Sequence, residues 1–331
     1  MNKKKIIVGV PISEEDSIAS PFARKNATDK VEEQLEELFH ARDSYYKLED
    51  VILPEHTKLE VLALIAKIEN HHILYDEWEL SRIDPTGKRV VFNLYGPPGT
   101  GKTMLAEAIA DKFGKKIIEI NYAEIESKYV GDTPKNIVAA FDSASKNDAI
   151  LFFDEADSIL GKRMTSVTQA ADHGVNVSRA VMLKQLDSCC GIVMFATNLV
   201  QNFDTAFIRR ILYHIEIPIP DEKTLGILWR KKIPDAVPGR SELDFDVLAK
   251  ESIGLVGAEI KNAVILAATH AVQREGLKRK ITTKDLLQSI DIVRRSKQHI
   301  SGYAYTRVID RLDVDNKTDI LTEGKGENDV D

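Results

Sequence analysis

The octet "GPPGTGKT", residues 96–103, constrains this chain more than any other stretch. It follows directly on "VVFNLY" (90–95), which reads as a buried strand, and it opens a segment with helical periodicity. A glycine-rich turn between a strand and a helix lets backbone amides curl around phosphate oxygens, because glycine reaches dihedrals other residues avoid. Gly96, Pro97, Pro98, Gly99, Thr100 and Gly101 would form the loop. Lys102 would reach β- and γ-phosphates, Thr103 would offer its hydroxyl to magnesium, and Met104 completes the set that meets a nucleotide. The helix start adds partial positive charge.

Such a loop belongs in a parallel sheet, and the rest of the pattern agrees. Short apolar runs recur as "IIEIN" (117–121), "AILFF" (149–153), "GIVMFA" (191–196) and "YHIEI" (213–217), separated by helical segments. Near-continuous apolar strands alternating with helices predict an α/β domain whose sheet is covered on both faces. "PIPDE" (218–222) ends the alternation, and helices come next over 222–232, 244–251, 257–275 and 282–297. Upstream, residues 1–27 lack periodicity and form an arm. An amphipathic helix begins at Thr28 and carries Val31, Leu35, Leu38 and Phe39 on one side; a second helix covers 56–78, with Leu62, Ile65 and Ile68 aligned. The expected division is an arm and helix over 1–47, a nucleotide domain over 48–220, a helical lid over 221–300, and a polar C-terminal segment over 301–331 whose end reads as disordered.

The chain has 331 residues and a net charge of −7. An acidic chain has no field to gather phosphate backbones, so nucleic acid is disfavoured as a partner. No apolar run approaches the roughly 18 residues of a membrane span. The basic start "MNKKK" is followed by too short an apolar stretch for a secretion signal. Cys189 and Cys190 are adjacent and supply no disulfide framework. These features point to the cytoplasm. His71-His72 lacks further ligands nearby and reads as a solvated helix face.

Two strand ends complete the candidate site. "AILFFDEAD" (149–157) ends a buried strand in Asp154-Glu155. Asp154 suits magnesium, directly or through water, and Glu155 is placed to polarise an attacking water. Asp157 reads as a cap or an ion-pair partner. "GIVMFATN" (191–198) ends in Thr197-Asn198, where a neutral amide can bond a γ-phosphate and orient the water.

"GPPGTGKT", "LFFDEAD" and "ATNLVQNFDTAFIRRILYHIEIPIPD" (196–221) resemble, in order and spacing, the AAA ATPases of the wider AAA+ class; the resemblance spans about residues 48–297. Within the family the chain looks most similar to bacterial single-ring proteins of injection-system or phage-defence type. The resemblance implies a five-stranded parallel sheet of order 5-1-4-3-2, ATP and Mg²⁺ bound between subunits of a homo-oligomeric ring, a hexamer, and ATP hydrolysis. It matches Lys102 to the nucleotide lysine, Thr103 and Asp154 to the metal-binding pair, Glu155 to the catalytic glutamate and Asn198 to the first sensor. Gly257-Ala258 matches the lid turn near the nucleotide, and Arg209 an arginine finger acting on the neighbouring subunit. The pattern departs at Leu212, where many relatives carry a second finger, while Arg210 comes directly after Arg209; the division of labour between the two arginines stays open, as does simple pairing with Asp204. Glu259 stands where several other AAA+ clades have an arginine.

The resemblance also places "SKYVGD" (127–132) on a loop facing a central pore, where Lys128, Tyr129, Val130 and Gly131 would grip a polypeptide substrate; packing of Tyr129 and Val130 on the domain's own core is the alternative. The stretch 161–176 is a candidate second pore loop. The expected activity is protein remodelling or unfolding by threading, with any protease or effector encoded separately. The rivals are an ATP-dependent assembly scaffold and a DNA-handling motor.

Overall fold

The apolar runs become strands β1 (Val90–Tyr95), β2 (Ile117–Asn121), β3 (Ile150–Asp154), β4 (Ile192–Thr197) and β5 (Tyr213–Glu216) in a computed structural model. The structure describes residues 39–84, 87, 89–122, 133–161, 170–198 and 203–298. The strands form one sheet of order β2-β3-β4-β1-β5, and every pair is parallel, as expected. Two strands start one residue later than their apolar runs. The Ala149 amide donates to Ala144 O (2.9 Å) and closes the preceding helix, so pairing begins at Ile150. Asp154 is thereby the last paired residue of β3, opposite Asn121.

Among the described residues six helices, α1 (Glu55–Glu69), α2 (Lys102–Lys112), α3 (Thr133–Lys146), α4 (Asp157–Leu160), α5 (Ala170–Ser188) and α6 (Thr205–Ile208), accompany the sheet. Val91, Leu151, Phe153, Val193 and Phe195 form one buried face, against Ile137 and Phe141 of α3 and Met182 and Leu186 of α5. The rings of Phe153 and Phe195 stack with centroids 5.4 Å apart. Phe92, Leu94, Phe152 and Met194 form the other face, under α1 and α2. Alternation within each strand thus sends side chains into two apolar layers, which is why the runs read as continuously apolar.

The lid comprises α7 (Glu222–Lys232), α8 (Phe245–Glu251), α9 (Gly257–Val272) and α10 (283–298). Asp221 and Asp244 cap α7 and α8, each accepting backbone N–H bonds from the first turn. The fully buried Trp229 centres this second core and donates its indole N–H to Ser252 Oγ (2.9 Å).

The arm's end is built into the α/β domain. Phe39 is buried in the α3–α5 core, and Arg42 exchanges backbone bonds with Ile117 (3.0 and 2.9 Å) at the free edge of β2. The Arg42 guanidinium spans Glu107 (2.8 Å) and Glu119 (2.5 Å), and the bond to the buried Glu107 raises its pKa above the ordinary arginine value. The expected boundary at residue 47 therefore lies within a docked segment. Beyond it, Leu48, Val51 and Leu53 pack on the α1–α2 core while Ile52 packs on the lid core. Lys231 of α7 pairs with Asp50 (3.2 Å), so this strap touches both halves. Residues 1–38 and 299–331 lie outside the described residues.

Replacing Arg42 with alanine should cost about 2–3 kcal/mol, because Glu107 stays buried without its cation. Urea unfolding checks this; an unchanged midpoint would show that the arm does not brace the domain.

Candidate nucleotide site

The loop between β1 and α2 is shaped by glycines that nothing else could replace. Gly96 has φ +145°, and a Cβ there would lie 2.2 Å from Ile217 O in the segment leaving β5. Gly99 has φ +80°, and its Cβ would lie 3.0 Å from Val256 Cγ2 and 3.1 Å from the Ala258 Cβ. Gly99 O also accepts the Ala258 N–H (3.2 Å). The Gly257-Ala258 turn, which starts α9, thus rests directly on the phosphate loop. Thr100 Oγ1 donates to Pro97 O (2.9 Å) and tightens the turn, and Met104 is half-buried in the first turn of α2.

Lys102, buried at the start of α2, uses its ammonium on Gly96 O (2.8 Å), Pro97 O (3.0 Å) and Asn198 Oδ1 (2.8 Å). Burial lowers its pKa, against the opposing pull of Asp154 and Asp157. Asn198 therefore shares one cation with the phosphate loop, although 96 residues separate it from Lys102. Its backbone N–H donates to Asp157 Oδ1 (3.2 Å). Asp157 accordingly holds the strand end that carries Asn198, a more specific task than a cap or a generic ion pair.

Thr103 Oγ1 donates to Asp154 Oδ2 (3.0 Å), and Asp154 Oδ1 accepts the Glu155 N–H (2.8 Å). A hydroxyl and a carboxylate in contact at the end of β3 are hard oxygen donors beside a phosphate loop, the set that magnesium takes with nucleotide phosphates and water. The residues fit the ion. Glu155 has φ +51°, a left-handed conformation that is costly for a side chain of its size. The turn it makes lifts its carboxylate off the strand end, where Asn121 Nδ2 donates to Oε2 (3.0 Å).

Asn121 is the residue that reading the sequence missed. A polar residue closing the apolar run "IIEIN" was its only signal; the β2–β3 pairing sets it opposite Asp154 and within reach of Glu155.

Lys102, Thr103, Asp154, Glu155 and Asn198 are thus brought together with Gly96–Gly101 and the lid turn. Arg209 and Arg210 are not among them. They lie in the turn after α6, before β5, and Leu212 donates its N–H to Val91 O (3.0 Å) near the start of β1. The phosphate loop leaves the opposite end of that strand, and five residues at about 3.3 Å each put roughly 16 Å between the two. Asp204 caps α6, accepting the Ala206 N–H (2.8 Å), while Arg210 forks onto Asp187 instead, with Nε–Oδ1 2.8 Å and Nη2–Oδ2 2.7 Å. Arg209 is exposed, and its guanidinium has no hydrogen bond or ion pair among the described residues.

Lys128, Tyr129, Val130 and Gly131 lie outside the described residues, as do 162–169 of the second candidate loop; residues 170–176 form the first turns of α5, so that loop is shorter than expected. His71 stacks on Tyr75 (4.6 Å) and its Nε2 lies 3.0 Å from Gly87 O; no group of three metal-binding side chains occurs among the described residues. Cys189 and Cys190 are both free. No described helix is long and apolar enough to cross a membrane.

Two family models match the chain: "ATPase family associated with various cellular activities (AAA)" over residues 92–219, and "AAA+ lid domain" over 242–288. The chain carries an AAA ATPase domain and an AAA lid domain. Its AAA region is similar to the 26S proteasome subunit RPT4 of Saccharomyces cerevisiae, 34% identical over 213 residues that cover 62% of this chain and 48% of that protein. It is 32% identical to a proteasome-activating nucleotidase of Methanopyrus kandleri over 216 residues, covering 63% of this chain and 49% of the relative. Protein SAP1 of Saccharomyces cerevisiae is 30% identical over 222 residues, covering 60% and 25%. The chain spans about half the length, or less, of these curated relatives. The matched span includes the whole sheet after its first two strand residues and most of the lid.

Gly96→Ala in the AAA domain should be among its most damaging single-methyl changes, costing on the order of 3 kcal/mol in dihedral strain alone, with a backbone clash added. Thermal unfolding and binding of a fluorescent ATP analogue check it; unaltered binding would mean that the loop can re-form around the added carbon.

Proposed function

We propose that this protein is an ATP-hydrolysing ring motor that remodels or unfolds polypeptides by threading them through a central pore. One observation carries the ring. The nucleotide-binding and water-activating groups stand at the carboxyl edge of the sheet, whereas Arg209 stands exposed at the amino edge, too far to serve its own subunit's phosphates. A neighbouring subunit's site is where that guanidinium can act. In a closed ring every site then receives one finger. We read the ring as a homo-hexamer acting in the cytoplasm.

In this reading the loop amides and Lys102 bind the triphosphate, Lys102 exchanging its carbonyl partners for phosphate oxygens. Thr103 and Asp154 would hold Mg²⁺, which would supply neutralising charge to the bound triphosphate. Glu155 accepts a proton from the attacking water, Asn121 fixes the carboxylate's direction, and Asn198 orients the γ-phosphate and the water. Arg209 from the neighbour neutralises charge that develops on the transferred phosphoryl group. The lid turn at Gly257-Ala258, in contact with Gly99, carries the nucleotide state into lid rotation.

The threading half of the proposal is supported by the likeness to proteasome-named ATPases and by the sequence "KYVG", residues 128–131. A narrower kinship, to bacterial single-ring proteins of injection-system or phage-defence type, rests on motif resemblance alone; the relatives described above come from yeast and an archaeon. A separately encoded effector or protease would complete the system.

Arg209→Ala subunits should lose hydrolysis by roughly 10³–10⁵, as should Lys102→Ala subunits, yet a mixture of the two should recover activity well above either. If subunits exchange and no mixture exceeds its components, the trans role fails. Tyr129→Ala should keep basal hydrolysis and thermal stability while losing stimulation by an unfolded protein, since removing the ring forfeits about 1.5–3 kcal/mol of apolar contact per engaged loop. A lowered melting temperature with depressed basal hydrolysis would instead assign Tyr129 to the domain's own core.

A further inference from the structure

We propose that Asp187, at the C-terminal end of α5, is a positioning residue for the finger: through Arg210 it fixes the turn that presents Arg209 to the neighbouring subunit. This rests on the trans role of Arg209 proposed above.

Beyond its corner the turn is anchored by the buried Ile211 and by the Leu212 N–H on Val91 O (3.0 Å), while the corner that carries Arg209 is exposed. It comes after α6, a helix of four residues that cannot sustain itself by backbone bonding. The Arg209 side chain makes no hydrogen bond or ion pair among the described residues, so its aim is inherited from the backbone beneath it. The neighbouring residue adds a side-chain tie to that backbone. Arg210 presents Nε and Nη2 to the two oxygens of Asp187 at 2.8 and 2.7 Å, a fork-to-fork pair that specifies angle as well as distance. Its remaining nitrogen, Nη1, donates to Ala206 O (3.0 Å) and closes α6 onto the same group. Rotation of the guanidinium would break three bonds together.

Asp187 is itself anchored from the other side. Arg89 Nη1 donates to Asp187 Oδ1 (3.1 Å) and to Leu186 O (2.9 Å). Arg89 immediately precedes β1, the strand that delivers the phosphate loop. One carboxylate thus ties the finger turn, the end of α5 and the root of β1 into a single unit. The bond from Arg210 is the chief reason that the Asp187 carboxyl is held below the usual carboxylate range, with Arg89 adding to it. The pair is half-exposed, with 47% of the Asp187 side chain accessible, so its contribution to folding is small and its value lies in direction.

The test compares Asp187→Ala and Asp187→Asn with wild type as assembled full-length chains. A finger displaced by about 1 Å should slow turnover by roughly 10- to 100-fold. KM for ATP should stay within about twofold, because the phosphate loop is untouched, and the melting temperature should hold within about 2 °C, as for a surface pair. Asp187→Glu should recover part of the lost rate, and mixing Asp187→Ala with Lys102→Ala chains should restore hydrolysis as Arg209→Ala mixtures do. Rescue of both mixtures supports the proposal. Rescue with Arg209→Ala but not with Asp187→Ala overturns it, placing the defect in the mutant subunit's own site. Wild-type turnover in Asp187→Ala also overturns it. If the Arg209→Ala mixture is itself not rescued, the trans finger fails first and this proposal falls with it. Should Asp187→Ala not fold, Asp187→Asn, which keeps the shape and one acceptor, carries the same comparison.

Discussion

Parallel strands can share hydrogen bonds only if the chain returns over a face of the sheet after each one, and that return points every strand the same way. Five such strands give this protein two unlike edges. At the carboxyl edge, strand ends deliver Gly96, Asn121, Asp154 and Asn198 into one cluster. At the amino edge, the turns entering β1 and β5 bring together Arg89, Asp187 and Arg210, with Arg209 projecting beside them. The phosphate-loop cluster and Arg209 are thus separated by the length of a strand. In the function proposed above, a single subunit holds both halves of the chemistry and cannot bring them together.

Around the site the connections are polar, short and few. Thr103 with Asp154 joins α2 to β3, Lys102 with Asn198 joins α2 to β4, and Asn121 with Glu155 joins β2 to the turn after β3. The joined strands run on to different parts of the chain: β2 leads towards residues 123–132, and β4 towards the turn of Arg209 and Arg210. Lys102 and Glu155 thus each bond a residue at the end of a different strand. The lid adds a third route, since Ala258 bonds the phosphate loop while Ile52 and Lys231 tie the same lid to the strap before α1. These few contacts offer a path from nucleotide to lid without any need to deform the two apolar layers.

Most of this architecture was legible in the residues themselves. The strands and lid helices fall within a few residues of the periodic runs, because burial on both faces leaves an unbroken apolar signature and a helical stripe leaves its own. The phosphate loop, the acid pair after β3 and the amide after β4 announced their chemistry by residue type at strand ends. The docking of Phe39 and Arg42 did not, since nothing in residues 39–47 marks them as belonging to the edge of β2. Nor did the extension of α5 back to Ala170 through a stretch that reads as a loop.

The sequence by itself determined the kind of domain and the chemical identity of its nucleotide site, because periodicity and motif are local properties. Only the tertiary structure decided which polar groups meet across the chain. Asn121 finds Glu155 over 34 residues, and Arg210 finds Asp187 over 23, through sheet pairing and helix packing that no local pattern encodes. Two adjacent arginines with the same composition and charge thereby become different groups. One is held by a carboxylate that packing brings beneath it, and the other is exposed with no side-chain partner among the described residues.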